Sequence, residues 1–260
     1  MSAFVQLSIA LHVVGPLSLV AAPRLWPLVA GGLLADHALL VAGGLAPRSR
    51  LLGPNLARLV TEEPVVALTF DDGPDPDVTP RVLAALDRRG ATASFFCIGE
   101  RAARHPELVG EIARAGHTVE NHSYRHRNHF FVLGPSALRS EVERTQRVLS
   151  EASGRPPAYF RAPAGIRGPL LEPVLARAGL RLTSWTRRGF DTVSRDPRRI
   201  AARLLRRLAP GDIVVLHDGS ASRDRAGRPV ALDALDLVLD GLRRHGLRAV
   251  ALPRPGDAPR

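Results

Sequence analysis

LTFDDGPDPDVTP, residues Leu68 to Pro80, is the stretch from which the fold of this chain is read. An apolar run from Val65 to Phe70 has the length and unbroken hydrophobicity of a buried strand, and it stops at two adjacent carboxylates followed by Gly73 and Pro74. Neighbouring strand residues point to opposite sides. Where the strand gives way to a Gly-Pro turn, however, Asp71 and Asp72 can converge on one pocket. One carboxylate can then bind a metal while the other moves protons. The competing reading is an acidic turn that caps a helix starting near Pro80.

A second cluster bears on that choice. Asn121 to His126 reads NHSYRH, with His122 and His126 four residues apart. On a helical turn that spacing aims both imidazoles the same way, and imidazole suits zinc and similar ions. With Asp72 they make an Asp-His-His set of three ligands, which leaves a coordination position open for water as catalytic sites do.

From Val65 onward strand-like runs alternate with helical ones. Strands are expected at Val65 to Phe70, Ala93 to Ile98, Ala158 to Phe160, Leu182 to Trp185, Ile213 to Leu216 and Arg248 to Leu252. Helices are expected at Val82 to Arg89, Glu100 to Arg114, Ser136 to Ala152, Pro169 to Ala178, Pro197 to Leu208 and Leu232 to Arg244. The alternation argues for an α/β fold of parallel strands with helical crossovers. Each candidate motif falls at or just after a strand's C-terminal end, where barrels of this kind keep their chemistry.

Five blocks in order, TFDDGP (Thr69 to Pro74), HSYRH (His122 to His126), FRAPAG (Phe160 to Gly165), SWTRRGFD (Ser184 to Asp191) and VVLHDG (Val214 to Gly219), make the chain resemble the polysaccharide deacetylases of carbohydrate esterase family 4, the NodB-homology domain. The resemblance covers roughly Val65 to Leu252. It implies a distorted (β/α) barrel of seven strands and the removal of an acyl group, acetyl before others, from an N-acylated amino sugar. It further implies that Asp72, His122 and His126 hold a divalent metal, zinc above others. By the same likeness Asp71 is the base, His217 the acid, Asp191 the carboxylate paired with His217, and Arg161 the cation beside Asp71. Three positions depart from the family pattern. Ala164 stands where tyrosine is usual, Thr192 where tryptophan is, and Arg188 where an acidic residue is common. These changes bear on the sugar groove and turn the expected substrate from a polymer such as chitin toward a smaller or lipid-linked glycan.

The formal net charge is +11, and every one of the 36 basic residues is arginine. Such a charge favours anionic surfaces such as phospholipid or phosphorylated carriers. With only 5% aromatic residues the chain has few platforms on which bases could stack, so nucleic acid is not an expected partner. Cys97 is the only cysteine; it excludes an intramolecular disulfide and reads as core.

Phe4 to Ala22 and Leu25 to Ala46 are two apolar stretches, each long enough to span a bilayer. No positive charge precedes the first, which argues against a cleaved signal peptide. The pair reads as a membrane-associated helical hairpin over residues 1–50, followed by a deacetylase domain over 62–252 and a tail over 253–260. Pro16, Asp36 and His37 interrupt the apolar stretches, and a pair of helices lying in the membrane interface or packed against the enzyme domain is the alternative. Arg48, Arg50 and Arg58, against Arg24 in the connection, place the catalytic domain on the cytoplasmic face by the positive-inside tendency.

The function expected is a metal-dependent, membrane-associated hydrolase acting on an N-acylated sugar of a cell-envelope or lipid-linked glycan. A deformylase or an O-acetyl esterase is the variant within the same chemistry. A noncatalytic carbohydrate-binding or scaffold protein that keeps the barrel is the rival from another class.

Overall fold

The computed structural model describes residues 1–254 and 256. The tail expected over 253–260 lies mostly outside them. Two apolar helices come first, α1 (Ala3–Ala21) and α2 (Trp26–Leu45), joined by a single three-ten turn at Pro23–Leu25. Both are long and apolar enough to cross a membrane. Their outer surfaces carry exposed Leu7, Val14, Leu17, Val20, Leu28 and Leu34, among others. At its open end the hairpin rests on the rest of the chain, where Ser2 Oγ donates to the Leu51 carbonyl and the Arg167 amide to the Gly44 carbonyl. Gly44 is obligatory there, because a Cβ would come within 2.6 Å of the Arg167 carbonyl oxygen.

The body of the protein is a curled sheet of parallel strands wrapped by helices. Its strands are β1 (Val65–Asp71), β2 (Ser94–Cys97), β3 (Thr118–Asn121), β4 (Tyr159–Phe160), β5 (Arg181–Leu182), β6 (Arg187–Arg188) and β7 (Ile213–His217). They follow the order β5-β4-β3-β2-β1-β7-β6, and β8 (Arg248–Val250) pairs only with the first half of β1. Seven parallel strands along that path make the distorted barrel expected from the sequence. Between β5 and β6 the wall stays open. There Leu56 donates its amide to the Leu182 carbonyl and accepts from the Ser184 amide, while the Leu59 amide reaches the Gly211 carbonyl.

Strand parity sorts the side chains. Val66, Leu68 and Phe70 of β1, Phe95 and Cys97 of β2, and Val214 and Leu216 of β7 belong to the larger core, beneath helices α3 (Thr79–Asp87), α5 (Pro106–Arg114), α8 (Pro197–Leu205) and α9 (Val230–Arg244). The alternate residues Ala67, Phe96, Tyr159, Ile213 and Val215 form a second core, inside the curl, with Trp185. Both faces are therefore buried, which is why these strands read as continuous apolar runs rather than alternating ones. The same parity sends Asp71, Arg161 and His217, each an even number of residues from an inward neighbour, to the inner face.

Several local expectations change. The single helix over Glu100 to Arg114 is two, α4 (Gly99–Arg104) and α5, because Pro106 cannot continue a helix through His105. β3 and β6 were not read from the sequence. The strand expected over Leu182 to Trp185 is the two-residue β5 followed by a bridge region leading to β6. Helix α6 (Pro135–Ser153) stops at Gly154 in the left-handed conformation, and α7 (Leu171–Arg177) is the shortest crossover apart from α4.

Candidate active site

At the C-terminal ends of β1 and β7, Asp71 and His217 are paired in register across neighbouring strands, so both side chains leave the sheet on the same side. Asp72 follows with φ 74°, a left-handed conformation that breaks the strand's alternation and turns the second carboxylate away from the wall behind it. The peptide between Gly73 and Pro74 is cis. Gly73 is packed tightly against the next strand's end: a Cβ there would lie 2.2 Å from Asp218 Oδ2.

The histidine loop meets Asp72 from β3. Nε2 of His122 and Nε2 of His126 each lie 3.3 Å from Asp72 Oδ1. Oδ1 is buried and has no hydrogen-bond donor. The expected helical turn is absent. Residues 122–126 form an irregular loop in which Ser123 (φ 62°) and His126 (φ 48°) are left-handed, and the two rings converge through that geometry instead. His122 Nδ1 lies 2.8 Å from the Arg161 carbonyl, which fixes the proton on Nδ1 and leaves the Nε2 lone pair toward Asp72.

Glu141 of α6, a buried carboxylate that sequence reading passed over, holds the loop in shape. Its Oε2 accepts the amides of Tyr124 and Arg125 at 2.9 and 2.8 Å. The signal was present in the helix itself, since Glu141 falls on the stripe Leu138, Val142, Thr145, Leu149 that faces the body. Asn121 contributes as well, its Oδ1 accepting the Ser123 amide and its Nδ2 donating to the Val142 carbonyl.

Two ion pairs flank the cluster. Arg161, 0% exposed, donates from Nη1 to Asp71 Oδ1 at 2.5 Å and to Thr69 Oγ1 at 2.8 Å, and from Nη2 to the Ser184 carbonyl. Its guanidinium also lies over the Phe96 ring, 4.0 Å from the centroid. On the other side, Asp191 accepts twice from His217, from the backbone amide at 2.7 Å and from Nδ1 at 2.9 Å. All seven residues singled out from the sequence (Asp71, Asp72, His122, His126, Arg161, Asp191 and His217) thus fall into one connected constellation.

Electrostatics separate these groups. Burial works against a charged His217, but the hydrogen bond and charge of Asp191, helped by Asp71 and Asp72, raise it to about 9. Burial, and then the neighbouring His122, lower His126 to about 4, so at neutral pH it offers a lone pair. Asp72 would be raised by burial, yet the contact with His122 and the charges of His122, His217 and His126 hold it well below the usual carboxylate range. Asp218, buried behind Gly73 and bonded to Thr79 Oγ1 at 2.6 Å, goes the other way and is pushed up to about 7 by burial and the nearby carboxylates.

An ionised carboxylate oxygen that is buried, lacks a donor and sits between two imidazole nitrogens fits a divalent cation by the chemistry of its donors. Asp72, His122 and His126 each bring one ligand atom within 4.8 Å of the others. Around this centre the three unusual residues are at the rim. Ala164 is exposed at φ 55°, and Thr192 is half-buried. Arg188 stacks between Trp185 and an exposed Phe190, 5.4 and 5.1 Å from the two centroids.

A family profile described as polysaccharide deacetylase matches residues 58–183. Over 196 residues the chain is 34% identical to a chitooligosaccharide deacetylase of Bradyrhizobium sp. (strain ANU 289), spanning 73% of this chain and 89% of that protein. It is 31% identical over 191 residues to a peptidoglycan-N-acetylglucosamine deacetylase of Bacillus cereus, spanning 72% of this chain and 66% of that one. Among solved structures, a family 4 carbohydrate esterase from Streptomyces lividans in complex with acetate superposes with a TM-score of 0.65 at 34% identity, over 72% of this chain and 92% of that one. A family 4 pseudoenzyme from Bacillus anthracis shares the fold as well, with a TM-score of 0.68 at 24% identity over 78% and 68% of the two chains. The fold by itself is therefore no measure of turnover.

Proposed function

The chain belongs to the polysaccharide deacetylases of carbohydrate esterase family 4, and from that membership we propose that it hydrolyses the N-acyl group, acetyl in the first instance, of an amino sugar in a membrane-associated glycan. The observation that carries the reading is the donor-free Oδ1 of Asp72 between two imidazoles, with an acid and a base held on either side of it. A noncatalytic sugar-binding protein has no use for such an arrangement.

Asp72, His122 and His126 are the residues that would hold the metal, zinc in this reading. When bound, such a cation supplies Lewis acidity for activating water and the acyl carbonyl. Asp71 takes a proton from the attacking water, and Arg161 holds its carboxylate in place through a charge-assisted hydrogen bond. As the bond from water oxygen to acyl carbon forms and the carbon–nitrogen bond breaks, His217 delivers a proton to the departing amine. Nδ1 is committed to Asp191, so the delivering nitrogen is Nε2. A value of about 9 for His217 keeps it charged at neutral pH, as an acid requires.

A lipid-linked substrate is supported by the surroundings of the hairpin. Between its base and α7 runs a cleft of about 650 Å³, lined by Leu52, Leu56, Leu171 and Leu175 with Arg50 and Arg167 beside them. An apolar trough with cations at its edge, next to two apolar helices, suits a lipid phosphate. None of the seven constellation residues lines it. The loop that carries Arg161 to the centre is also the one that carries Arg167 to the cleft.

Membrane orientation rests on fewer charges than the sequence count. Arg58 is bound to Asp212 at 2.5 Å and to the Pro210 carbonyl, so it belongs to the folded body rather than to a free juxtamembrane charge. Arg48 and Arg50 against Arg24 remain as the argument for a cytoplasmic catalytic domain. A reporter fused after Arg260 decides it, phosphatase activity on the far side of the membrane overturning that face.

Activity is tested by measuring acetate and formate released from N- and O-acylated sugars, free and lipid-linked, by the zinc-loaded protein and by Asp71→Asn. Acetate release from an N-acetylated sugar that falls by at least about 100-fold in Asp71→Asn is the expected result. Equal turnover by the two proteins would leave only a glycan-binding barrel.

A further inference from the structure

Halfway along both N-terminal helices, three side chains with metal-ligand chemistry face one another. His12 lies in the middle of α1, and Asp36 and His37 in the middle of α2. One ligand-capable atom from each is within 4.8 Å of the other two, the same residue types and the same compactness as in the catalytic constellation. We propose that His12, Asp36 and His37 form a second divalent-metal site, which binds a transition metal such as zinc and ties the two helices of the hairpin together.

The supporting contacts are those of a prepared site. Asp36 is only 6% exposed and is anchored by Ser8 Oγ, which donates to its Oδ2 at 2.8 Å from the facing helix. Each imidazole uses Nδ1 on a carbonyl one turn back, His12 on Ser8 at 2.8 Å and His37 on Leu33 at 2.7 Å. The His12 Nδ1 also lies 3.8 Å from Asp36 Oδ2, so the ring turns the same edge to the facing carboxylate and to its own helix. The rings themselves are 5.0 Å apart, centroid to centroid, and tilted. His12 and His37 lie on the exposed side of the pair while Asp36 is beneath them, so an ion would be held from below by the carboxylate and flanked by the two imidazoles.

Cost points the same way. An aspartate at the centre of an apolar hairpin, with one hydroxyl donor and a histidine nitrogen 3.8 Å away, is an expensive group to keep. Polar interior groups in such segments are characteristically functional, and a divalent cation satisfies the carboxylate and both imidazoles at once. Neither helix has another ionisable residue in its interior.

The test uses the full chain in detergent micelles or lipid nanodiscs, loaded with zinc or cobalt and passed over a weak chelating resin. Two equivalents of metal per chain are expected, falling to one in His122→Ala and to one in His12→Ala/His37→Ala, with none in the combined variant. In the His122→Ala chain, whose hairpin is untouched, the remaining cobalt should give visible tetrahedral-type absorption that disappears when His37→Ala is added. Acyl release should persist in His37→Ala, because that site is separate from the catalytic one. A wild-type chain with a single equivalent, no metal left in His122→Ala, or an equivalent retained there after His12 and His37 are both replaced would overturn the proposal. The catalytic reading is judged separately, by acyl release and by the equivalent that goes with His122.

Discussion

Replacing Asp191 with Asn tests the proton-donating half of the site most sharply. His217 is raised from an ordinary 6.5 to about 9, and Asp191 supplies both of the largest contributions that raise it. At about 1.4 kcal/mol per pH unit that displacement is worth about 3 kcal/mol in favour of the charged imidazole. An asparagine of the same shape can still accept the His217 amide, but its NH₂ would face Nδ1 and favour a neutral ring. Burial then acts unopposed by its principal partner, so His217 should titrate at or below about 6.5. At pH 8 a group with pKa 6.5 is only about 3% protonated, so kcat/KM should fall by about 30-fold there and recover as pH is lowered. In the wild type the basic limb of the kcat/KM profile should lie near 9. The same linkage appears in stability. The folded-state value lies above the unfolded one, so the stabilisation is complete below about 6.5 and is lost as pH rises through about 9. Chemical denaturation of Asp191→Asn should therefore show its deficit at acidic pH and converge on the wild type at alkaline pH. A basic limb in the same place in both proteins would refute the assignment of His217 as the acid that Asp191 tunes.

Other outcomes follow from contacts already described. Glu141→Gln replaces the carboxylate oxygen that accepts both loop amides with a neutral amide oxygen, and should cost about 1–3 kcal/mol on urea denaturation and weaken zinc binding by about 10-fold or more on competition with a chelator. Gly73→Ala drives a methyl group into Asp218, and should abolish soluble expression or lower kcat by about 100-fold with KM little changed. Arg161→Lys keeps the charge but cannot hold Asp71, Thr69 and the Ser184 carbonyl together, so kcat should drop by about 100-fold while metal content stays at the wild-type level.

The parts of the fold legible in the sequence were those whose residues carry one message. β1 and β7 are apolar on both faces and end in chemistry, so the paired carboxylates at Asp71 stood out from pattern, whereas His217 was singled out by the resemblance of VVLHDG to the family's last motif. β3 could not: its Glu120 is a buried carboxylate that accepts the amides of Ala158 and Tyr159, and a polar residue satisfied by a distant backbone looks like a loop residue when read locally. β6 is a pair of arginines, Arg187 and Arg188, held as a strand by pairing with β7 rather than by any propensity of their own. At the site, the ligand identities were legible while their geometry was not. His122 and His126 converge through two left-handed residues and the grip of Glu141, neither of which a spacing of four reveals.

The unfinished seam between β5 and β6 gives the segment behind the hairpin a role beyond tethering. Leu56 and Leu59 lie along that gap and bond to Leu182, Ser184 and Gly211, so the stretch leading away from the hairpin is also a stave of the vessel. Ser184 is in turn the residue whose carbonyl steadies Arg161. A soluble version of the enzyme trimmed just after Val60 would lose that stave, whereas one starting near Leu51 would keep it. A pull on the hairpin would reach the Asp71 carboxylate through no more than three hydrogen-bonded contacts, by way of Leu56, Ser184 and Arg161, which makes the two ends of the chain's chemistry neighbours in mechanics as well as in sequence.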